Sequence, residues 1–565
     1  MKRLFILFAL FGTLLTLKAA QVSLEDASVW AAAFLNQRSV TEVNTSFEHF
    51  YVFNGERGFV IIAADDRVQP VLGYSFEGTF QTDMAESTLE WLQAYDQEIQ
   101  AVKDARIEAS EEVKAAWVSL REDGTLPVCN RSEVYPLVYT RWRQRSPYNM
   151  YCPDDCVTGC VAVAMAQLMK YWECPARGTG SHSYYHDTYG MLSANFGATE
   201  YDWDNMPVTV DDNSSAEEKE AVATLLYHCG VSVDMNYSPD ASSTPSTKVV
   251  EAMPSYFNYA SSMSMVYKSD YTDNQWKQLL KSELDALRPM YYAGQSRAAH
   301  AFICDGYDAY DLFHFNWGWG GANDGYYAIG ALNPTGYGEY NKWNYAIIDI
   351  KPADGGSPAI PAPVEVDVYP SGYDVVIEWW MPVDNPSLTY KVSRNGTLIA
   401  SGLTETAYVD HTASSGQYTY EVWAVLNGLD SDHKISYEIE LALVDAVPDD
   451  PSKGTVSGGG LEEIGFFHFL EAVPNPGYVF LCWMEDGRVV STDPDYDFIV
   501  AGDRHLVACF SGLGVDEYDE EATVLGVEIF TLNGVKLESI KENVHGIYLL
   551  RLITDKGIVT KKIVR

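Results

Sequence analysis

The sequence predicts a multidomain protein in which two α+β modules are followed by modules built only from β-strands. Its 565 residues are too many for a single hydrophobic core. From residue 21 to residue 352, segments with helical periodicity stand beside segments with strand-like alternation. After a linker rich in proline and glycine at residues 353–363, the apolar patterns alternate with a period of two, which is typical of β-structure.

The first 20 residues have the pattern of a secretory signal peptide. Lys2 and Arg3 give a basic start, an apolar run follows, and the small residues Ala19 and Ala20 end the segment. The apolar run is shorter than the roughly 20 residues that cross a bilayer, and no other segment is a candidate transmembrane span. We therefore expect a protein that is secreted or held at the cell surface.

The formal net charge of −41 limits the classes of partner. Nucleic acids and anionic membranes are bound by clustered Lys and Arg, so this charge argues against both. Its simplest role is to keep an exported protein soluble. The nine cysteines are an odd number, which leaves at least one thiol unpaired.

Residues 21–131 form the first α+β module. A helical period covers residues 27–35, strand patterns cover residues 47–53 and 58–64, and a helical pattern covers residues 86–120. The stretch that follows, up to Arg131, is rich in turn residues. We expect it to be exposed, as a site of proteolytic processing must be.

Residues 132–352 form the second α+β module. A helix begins at Cys160, after which come loops rich in Tyr, Ser and Gly, and further helices lie near residues 217–229 and 274–287. Strand patterns then cover residues 289–294, 300–306, 312–317, 325–329 and 345–350. Helices first and strands afterwards indicate an α+β fold with an antiparallel sheet.

Three β modules follow the linker. Residues 364–443 alternate at sandwich spacing, carry a hairpin signal at Asn395 and Gly396, and resemble a fibronectin type III domain. Residues 444–512 resemble the small β-repeat modules of bacterial surface proteins. After the acidic residues 516–521, residues 522–565 resemble the C-terminal sorting domain of type IX secretion substrates, with N-G between the first strands, G-I-Y before the next and K-K-I-V near the end.

Cys160 is the candidate nucleophile. It opens a helix, and the partial positive charge of a helix N-terminus lowers the pKa of a thiol. The alternative is a packed core cysteine, since free cysteines are often buried. Three features favour the nucleophile: Gly159 leaves room for a substrate backbone, alanines at alternate positions suit a closely packed central helix, and Gln144 upstream could supply an amide near the thiol.

His300 is the candidate base, 140 residues after the cysteine. It could instead be a satisfied core histidine, and His314 in the same sheet region competes with it for the role. The W-G-W-G-G run that begins at Trp317 is either an aromatic platform for sugar or a wall that shields an imidazole from water. Cys152 and Cys156 stand four residues apart before Cys160, but an intervening proline and the absence of clustered histidines argue against a metal site.

The second module resembles the streptopain family of papain-like cysteine peptidases. The matching stretches occur in the family's order: T-G-C-V-A-V-A-M-A-Q-L-M-K-Y-W, Y-D-W-D-N-M, G-V-S-V-D-M-N-Y-S-P, P-M-Y-Y-A-G, H-A-F-I-C-D-G-Y and F-H-F-N-W-G-W-G-G-A-N-D-G-Y-Y. The first module resembles the inhibitory pro-domain of the family, most clearly over residues 51–75. The resemblance implies a papain-like catalytic domain behind a pro-domain.

The resemblance also implies roles for five residues. Cys160 matches the nucleophile and His300 the general base. Asn316 and Trp317 match the segment that supports the imidazole, and the sequence leaves open which of them does so. Gln144 matches the glutamine near the oxyanion site, where the Cys160 backbone N–H would also donate. Family members often have Gly just before the histidine, where residues 298 and 299 are alanines, so the width of the cleft is in doubt at that rim.

The function implied is a secreted cysteine endopeptidase, made as a zymogen that cuts itself between residues 120 and 131. It needs no metal and no organic cofactor. The expected partners are protein or peptide substrates, the chain's own pro-domain as inhibitor, and the type IX secretion machinery. The chain is expected to be exported across the inner and outer membranes. Three alternatives remain: a catalytically silent surface adhesin, an acyl or amine transferase that uses the same thioester, and a carbohydrate-binding protein.

Overall fold

The computed structural model describes residues 21–129, 132–294, 300–330, 332, 344–432, 434–512, 524–531, 535–537, 546–554 and 557–564. The predicted signal peptide, the end of the predicted processing segment at residues 130–131, the two alanines before His300 and the acidic residues 516–521 lie outside this description. The chain divides into two compact units, Met1–Ala359 and Ile360–Arg565. In the described residues, no helix combines the length and the apolar character that a membrane span requires.

The described α-helices all lie in the first unit. They are α1 (Leu24–Phe34), α2 (Glu86–Ala105), α3 (Glu111–Asp123), α4 (Cys160–Trp172), α5 (Ala216–Ser232), α6 (Thr247–Tyr256) and α7 (Asp273–Asp285). The helical stretch predicted over residues 86–120 is divided into two helices, because Arg106 adopts a left-handed conformation that ends α2 and Ser110 caps the N-terminus of α3.

Twelve described strands lie in the same unit. They are β1 (Thr41–Val43), β2 (Phe50–Asn54), β3 (Phe59–Ala63), β4 (Val71–Ser75), β5 (His182–His186), β6 (Gly190–Ala194), β7 (Ser264–Tyr267), β8 (Met290–Gly294), β9 (His300–Tyr307), β10 (Leu312–Asn316), β11 (Gly325–Ala328) and β12 (Tyr345–Ile348). Ten of them form one antiparallel sheet in the order β1-β2-β3-β4-β11-β10-β9-β8-β12-β7. The hairpin β5–β6, helix α6 and strand β7 lie in segments for which the sequence pattern predicted loops or no defined element.

The first and second sequence modules share this sheet. Strand β4 of the first module pairs with β11 of the second, with Tyr74 opposite Tyr326 and Gly73 opposite Tyr327. A Cβ atom at Gly73 would lie 2.8 Å from the ring of Tyr327, so glycine permits this close approach. The first and second modules are therefore joined by backbone hydrogen bonds as well as by side chains.

Helix α4 passes through the centre of the second module. It follows Gly159, whose φ of 87° suits glycine, and a Cβ there would meet the Met235 side chain at 2.8 Å. Nearly every residue of α4 after Cys160 is buried, and the helix packs against α5 and β9. This places the first residue of the helix next to the beginning of β9.

The second unit contains β-strands in its described part. They are β13 (Glu365–Ser371), β14 (Asp374–Trp380), β15 (Thr389–Arg394), β16 (Thr397–Leu403), β17 (Ala407–Asp410), β18 (Gly416–Leu426), β19 (Leu429–Asp430), β20 (Ile435–Pro448), β21 (Gly454–Ser457), β22 (Gly460–Glu463), β23 (Phe467–Pro474), β24 (Tyr478–Glu485), β25 (Arg488–Ser491), β26 (Asp495–Ile499), β27 (Arg504–Gly512), β28 (Val524–Thr531), β29 (Lys536–Leu537), β30 (Ile547–Thr554) and β31 (Gly557–Val564). Strand β20 crosses the predicted boundary at residue 443 and pairs in parallel with β27, so the two predicted modules share a sheet.

Candidate active site

The Cys160 thiol lies at the N-terminus of α4, against the first residues of β9. The Ala301 backbone N–H donates to its Sγ at 3.5 Å. Burial raises the pKa of this thiol, although backbone N–H groups lower it, and the Glu86 carboxylate adds to the increase. The expectation of a lowered Cys160 pKa is therefore wrong while the first module is in place, because desolvation of the thiol outweighs the effect of the helix N-terminus.

His300 begins β9, directly before the residue that contacts Cys160 Sγ. Its side chain is 18% exposed, and its Nε2 lies 3.4 Å from Glu86 Oε2 of helix α2. The two residues predicted as nucleophile and base thus come from different elements, Cys160 from the start of α4 and His300 from the start of β9, and the residue after His300 contacts the Cys160 thiol. A carboxylate from the first module stands beside them.

The Asn316 amide is used within the second module. Its Nδ2 donates to the Thr140 carbonyl at 2.8 Å, and its Oδ1 accepts from Gln167 Nε2 at 3.1 Å and from the Gly318 N–H at 3.0 Å. These bonds fix the turn that follows β10. A supporting bond from Asn316 to the His300 imidazole stays a prediction.

Trp317 is buried with only 1% of its surface exposed. Its indole N–H donates to the Asn323 carbonyl at 3.0 Å, and its ring centroid is 4.5 Å from that of Phe302. A side chain this deeply buried is not available as a sugar platform. The position fits the alternative interpretation, an aromatic wall inside the domain.

Gln144 is partly buried, and its carbonyl accepts from the Thr158 N–H at 3.1 Å, two residues before Cys160. Its role at the oxyanion site stays a prediction. Sequence reasoning missed Gln167 of α4, whose Oε1 accepts from the Trp142 N–H at 3.1 Å and whose Nε2 donates to Asn316. A buried glutamine on an otherwise apolar helix was the signal that could have indicated such a link.

His314, the competing histidine, belongs to another group of residues. Its Nδ1 lies 2.7 Å from Oδ1 of Asp305, a carboxylate with no exposed surface that also accepts from the Val138 N–H. Burial lowers the pKa of His314, but the Asp305 carboxylate outweighs this and raises it above its ordinary value. Because neighbouring strand residues face opposite sides, Asp305 lies on the other face of β9 from His300.

Helix α2 of the first module covers the sheet beside this site. Its Trp91 ring contacts a cluster of aromatic rings with centroid distances from 4.9 to 6.2 Å, namely Tyr292, Phe302, Phe315 and Trp317. One turn later, the Tyr95 hydroxyl lies 2.9 Å from the carbonyls of Leu72 and Ala328. These contacts hold the start of α2, with Glu86 and Glu90, against β9.

Comparison with known families identifies three segments. Residues 142–327 match the Peptidase C10 family, residues 15–99 match the Spi protease inhibitor, and residues 449–513 match the divergent InlB B-repeat domain. The first two matches correspond to the second and first α+β modules. The third corresponds to the small β-repeat module.

Two relatives are similar over slightly more than half of the chain. Streptopain of Streptococcus pyogenes is 32% identical over 325 residues, which are 54% of this chain and 82% of streptopain. The thiol protease/hemagglutinin PrtT of Porphyromonas gingivalis is 34% identical over 346 residues, which are 57% of this chain but only 39% of PrtT. The chain thus spans most of streptopain and well under half of PrtT.

Two solved structures are also similar. A fragment of Prevotella intermedia prointerpain A has 32% sequence identity and a TM-score of 0.47, with 56% of this chain and 99% of that chain covered. The active wild-type interpain A cysteine protease of the same organism has 36% identity and a TM-score of 0.35, with 38% and 94% covered.

Proposed function

This chain belongs to the peptidase C10 family of cysteine peptidases, and we propose that it is a secreted cysteine endopeptidase made as a self-processing zymogen. The predicted papain-like α+β domain and the pro-domain before it are confirmed by the family matches. The observation that carries the proposal is the meeting of Cys160, at the start of α4, with the first residues of β9.

The proposed reaction uses two residues in sequence. The Cys160 thiolate attacks the scissile carbonyl, and His300 gives its proton to the leaving amine. Water then hydrolyses the thioester, with His300 as general base. The Cys160 backbone N–H and the Gln144 amide are proposed donors to the oxyanion, while Asn316 and Trp317 are proposed to position the loop that follows β10.

The latent state is supported by the contacts of α2. Trp91 packs among aromatic rings next to the site, and the Glu86 carboxylate lies 3.4 Å from His300 Nε2. Burial raises the pKa of the Cys160 thiol, which favours the protonated, less nucleophilic form. Removal of residues 21–131 would take away the covering helix and the carboxylate together.

The β modules and the tail extend the proposal to the chain's location. We propose that residues 364–443 and 444–512 hold the enzyme near a surface or a substrate. We also propose that residues 522–565 direct export by the type IX route and are then removed. The match of residues 449–513 to the InlB B-repeat supports the first of these roles.

Casein hydrolysis under reducing conditions tests the proposal. Residues 21–565 are compared with a Cys160→Ala variant, with chain length and casein followed on gels. We expect the unchanged chain to shorten and cut casein, and the variant to stay full-length and inert. A Cys482→Ala variant, which changes a thiol of the second unit, should behave like the unchanged chain. If the unchanged chain and the Cys160→Ala variant both fail to cut casein after another protease has removed the pro-domain, the peptidase proposal fails.

A further inference from the structure

Two cysteines of the second unit stand directly opposite each other on neighbouring antiparallel strands. Cys482 of β24 is the register partner of Cys509 of β27. Residues directly opposite each other in such a pair have Cα atoms about 4.5–5.5 Å apart, and a disulfide spans roughly 4.4–6.8 Å between Cα atoms. The strand pairing therefore sets the two cysteines at a separation that a disulfide can bridge.

Both cysteine side chains lie on the outer face of the sheet. Successive residues of a strand face opposite sides, and the next pair along, Trp483 and Ala508, is buried in the core of this unit. Cys482 and Cys509 are consequently directed away from that core, and both are partly exposed. The Cys482 side chain is also a hydrogen-bond partner of the Cys509 thiol. The two sulfur atoms are therefore neighbours that a dissolved oxidant can reach.

Other cysteines of the chain have partners of a different kind. Cys304 also lies on a strand, but it stands opposite Met290 and Phe315. The Cys156 thiol donates to the Tyr189 hydroxyl at 3.1 Å. Among the cysteines that lie on described strands, the direct pairing of two thiols is thus a property of β24 and β27.

We propose that Cys482 and Cys509 form a disulfide bond when the chain enters an oxidising compartment. The oxidant is a second disulfide, either of glutathione or of a protein. The Cys482 thiolate attacks one sulfur of the oxidant and releases its first thiol. The Cys509 thiol then loses its proton, attacks the Cys482 sulfur and releases the second. The chain loses two protons and two electrons, and one oxidant disulfide becomes two thiols.

The surroundings of the Cys509 thiol assign the order of these two steps. Burial, the neighbouring Cys482 and the Asp449 carboxylate raise the pKa of Cys509 to about 11, although the Lys453 ammonium opposes them. A thiol with so high a pKa is a poor first nucleophile, because only the thiolate attacks a disulfide. Cys482 is therefore assigned the first attack.

The bond would fasten one end of the nine-stranded sheet. In the strand order β16-β15-β18-β20-β27-β24-β25, the strands β24 and β25 are joined to the rest through β27. The ring closed by the disulfide contains β25 and β26, and closing it removes conformational freedom from the unfolded chain. The bond would thus stabilise the segment that matches the InlB B-repeat domain. The inference rests on the proposed function only for export, which supplies the oxidant, and not on peptidase activity.

Peptide mapping tests the bond directly. The protein is residues 21–565 with Cys160→Ala, which removes the proposed nucleophile. It is reduced, freed of reductant, oxidised with glutathione disulfide, alkylated and digested with trypsin. Because arginines at 488 and 504 lie between the two cysteines, Cys482 and Cys509 fall in separate peptides, residues 454–488 and 505–536.

We expect these two peptides to be recovered as one disulfide-linked species. Cys509→Ser should abolish that species, whereas Cys129→Ser, which changes an exposed thiol of the first unit, should leave it unchanged. Recovery of both peptides in alkylated form, or each bound to glutathione, would overturn the disulfide. Casein hydrolysis is measured under reducing conditions, in which the bond is open, so failure of the peptidase proposal and failure of the disulfide are separate results.

Calorimetric unfolding tests the stabilising role. When dithiothreitol is added to the oxidised Cys160→Ala chain, the midpoint of one transition should fall by about 5 °C or more. In the same chain with Cys482→Ser and Cys509→Ser, that transition should begin at the lower midpoint and should not respond to dithiothreitol. An equal response of both proteins would assign the effect to other thiols and refute the role.

Discussion

His300 and His314 lie on neighbouring strands of one sheet, but their surroundings differ in origin. The His314 ring is paired with Asp305, and its contacts lie within the second module apart from a charge interaction with Glu77. The His300 Nε2 lies 3.4 Å from Oε2 of Glu86, a carboxylate of the first module. One histidine is satisfied by residues that stay in the mature enzyme, whereas the other faces a group that processing would remove.

This difference indicates which histidine is available for chemistry. A buried imidazole that is bonded to a buried carboxylate contributes to stability and cannot move to a substrate without breaking that pair. An imidazole at the start of a strand, paired with a carboxylate of a removable helix, can change its partner when the helix leaves. The predictions below test this contrast, beginning with the largest expected effect.

Replacing His300 should abolish catalysis with little loss of stability. In His300→Asn the proposed proton donor and base is gone, so kcat/KM of the mature form should fall about 10²–10⁴-fold. Hydrolysis of a fluorogenic peptide measures this, after another protease has removed the pro-domain. The midpoint of thermal unfolding should change little, since the side chain is at a strand end. Activity within tenfold of the unchanged enzyme would contradict the assignment.

Replacing His314 should mainly lower the free energy of unfolding, whereas replacing His300 mainly lowers catalysis. His314→Ala leaves the Asp305 carboxylate buried without its cation, which costs about 3–5 kcal/mol. Denaturant unfolding of the Cys160→Ala chain measures the loss. The matched control is His411→Ala, because the His411 pair with Asp374 is mostly exposed and should contribute less than about 1 kcal/mol. Similar losses in the two variants would remove the contrast.

Local signals in the sequence predicted much of this arrangement. The helix that begins at Cys160 and the strand that begins at His300 follow from periodicity and from the residues that bound them, and the structure has both elements. The hairpin at Asn395 and Gly396 is also present, because both residues adopt the positive φ values that such a turn requires. These features depend on neighbours within a few positions.

Long-range features could not be predicted in the same way. Nothing in the pattern of residues 86–90 places Glu86 beside His300, because the pairing of β4 with β11 that brings the modules together depends on register between distant strands. The predicted lowering of the Cys160 pKa was wrong because it too depends on contacts between distant parts of the chain. The helix N-terminus is visible in the sequence, but desolvation by packed neighbours is not.

Removing the Trp91 side chain should loosen the pro-domain. Trp91→Ala leaves a cavity among the aromatic rings of the sheet, and such truncations cost about 3–5 kcal/mol when fully felt. Part of this cost is expected to appear as faster self-processing, which is measured by the time course of shortening on gels. Trp91→Phe keeps an aromatic ring but loses the bond to Tyr95, so its effect should be smaller. Slower processing in Trp91→Ala would contradict a covering role for α2.

The smallest expected effect concerns pH and the group around His314. Burial raises the pKa of Asp324 to about 7, while its bond from the Trp317 N–H opposes the shift. A carboxyl whose folded pKa is raised stabilises the fold at low pH, and this contribution is lost as pH rises from about 4 to about 7. Asp324→Asn keeps an acceptor for Trp317 and cannot ionise. Relative to this variant, the Cys160→Ala chain should lose stability by up to about 1.4 kcal/mol per pH unit in that window. Denaturant unfolding at several pH values measures the slope, and parallel profiles would show that the Asp324 pKa is the same in the folded and unfolded chain, which would contradict the prediction.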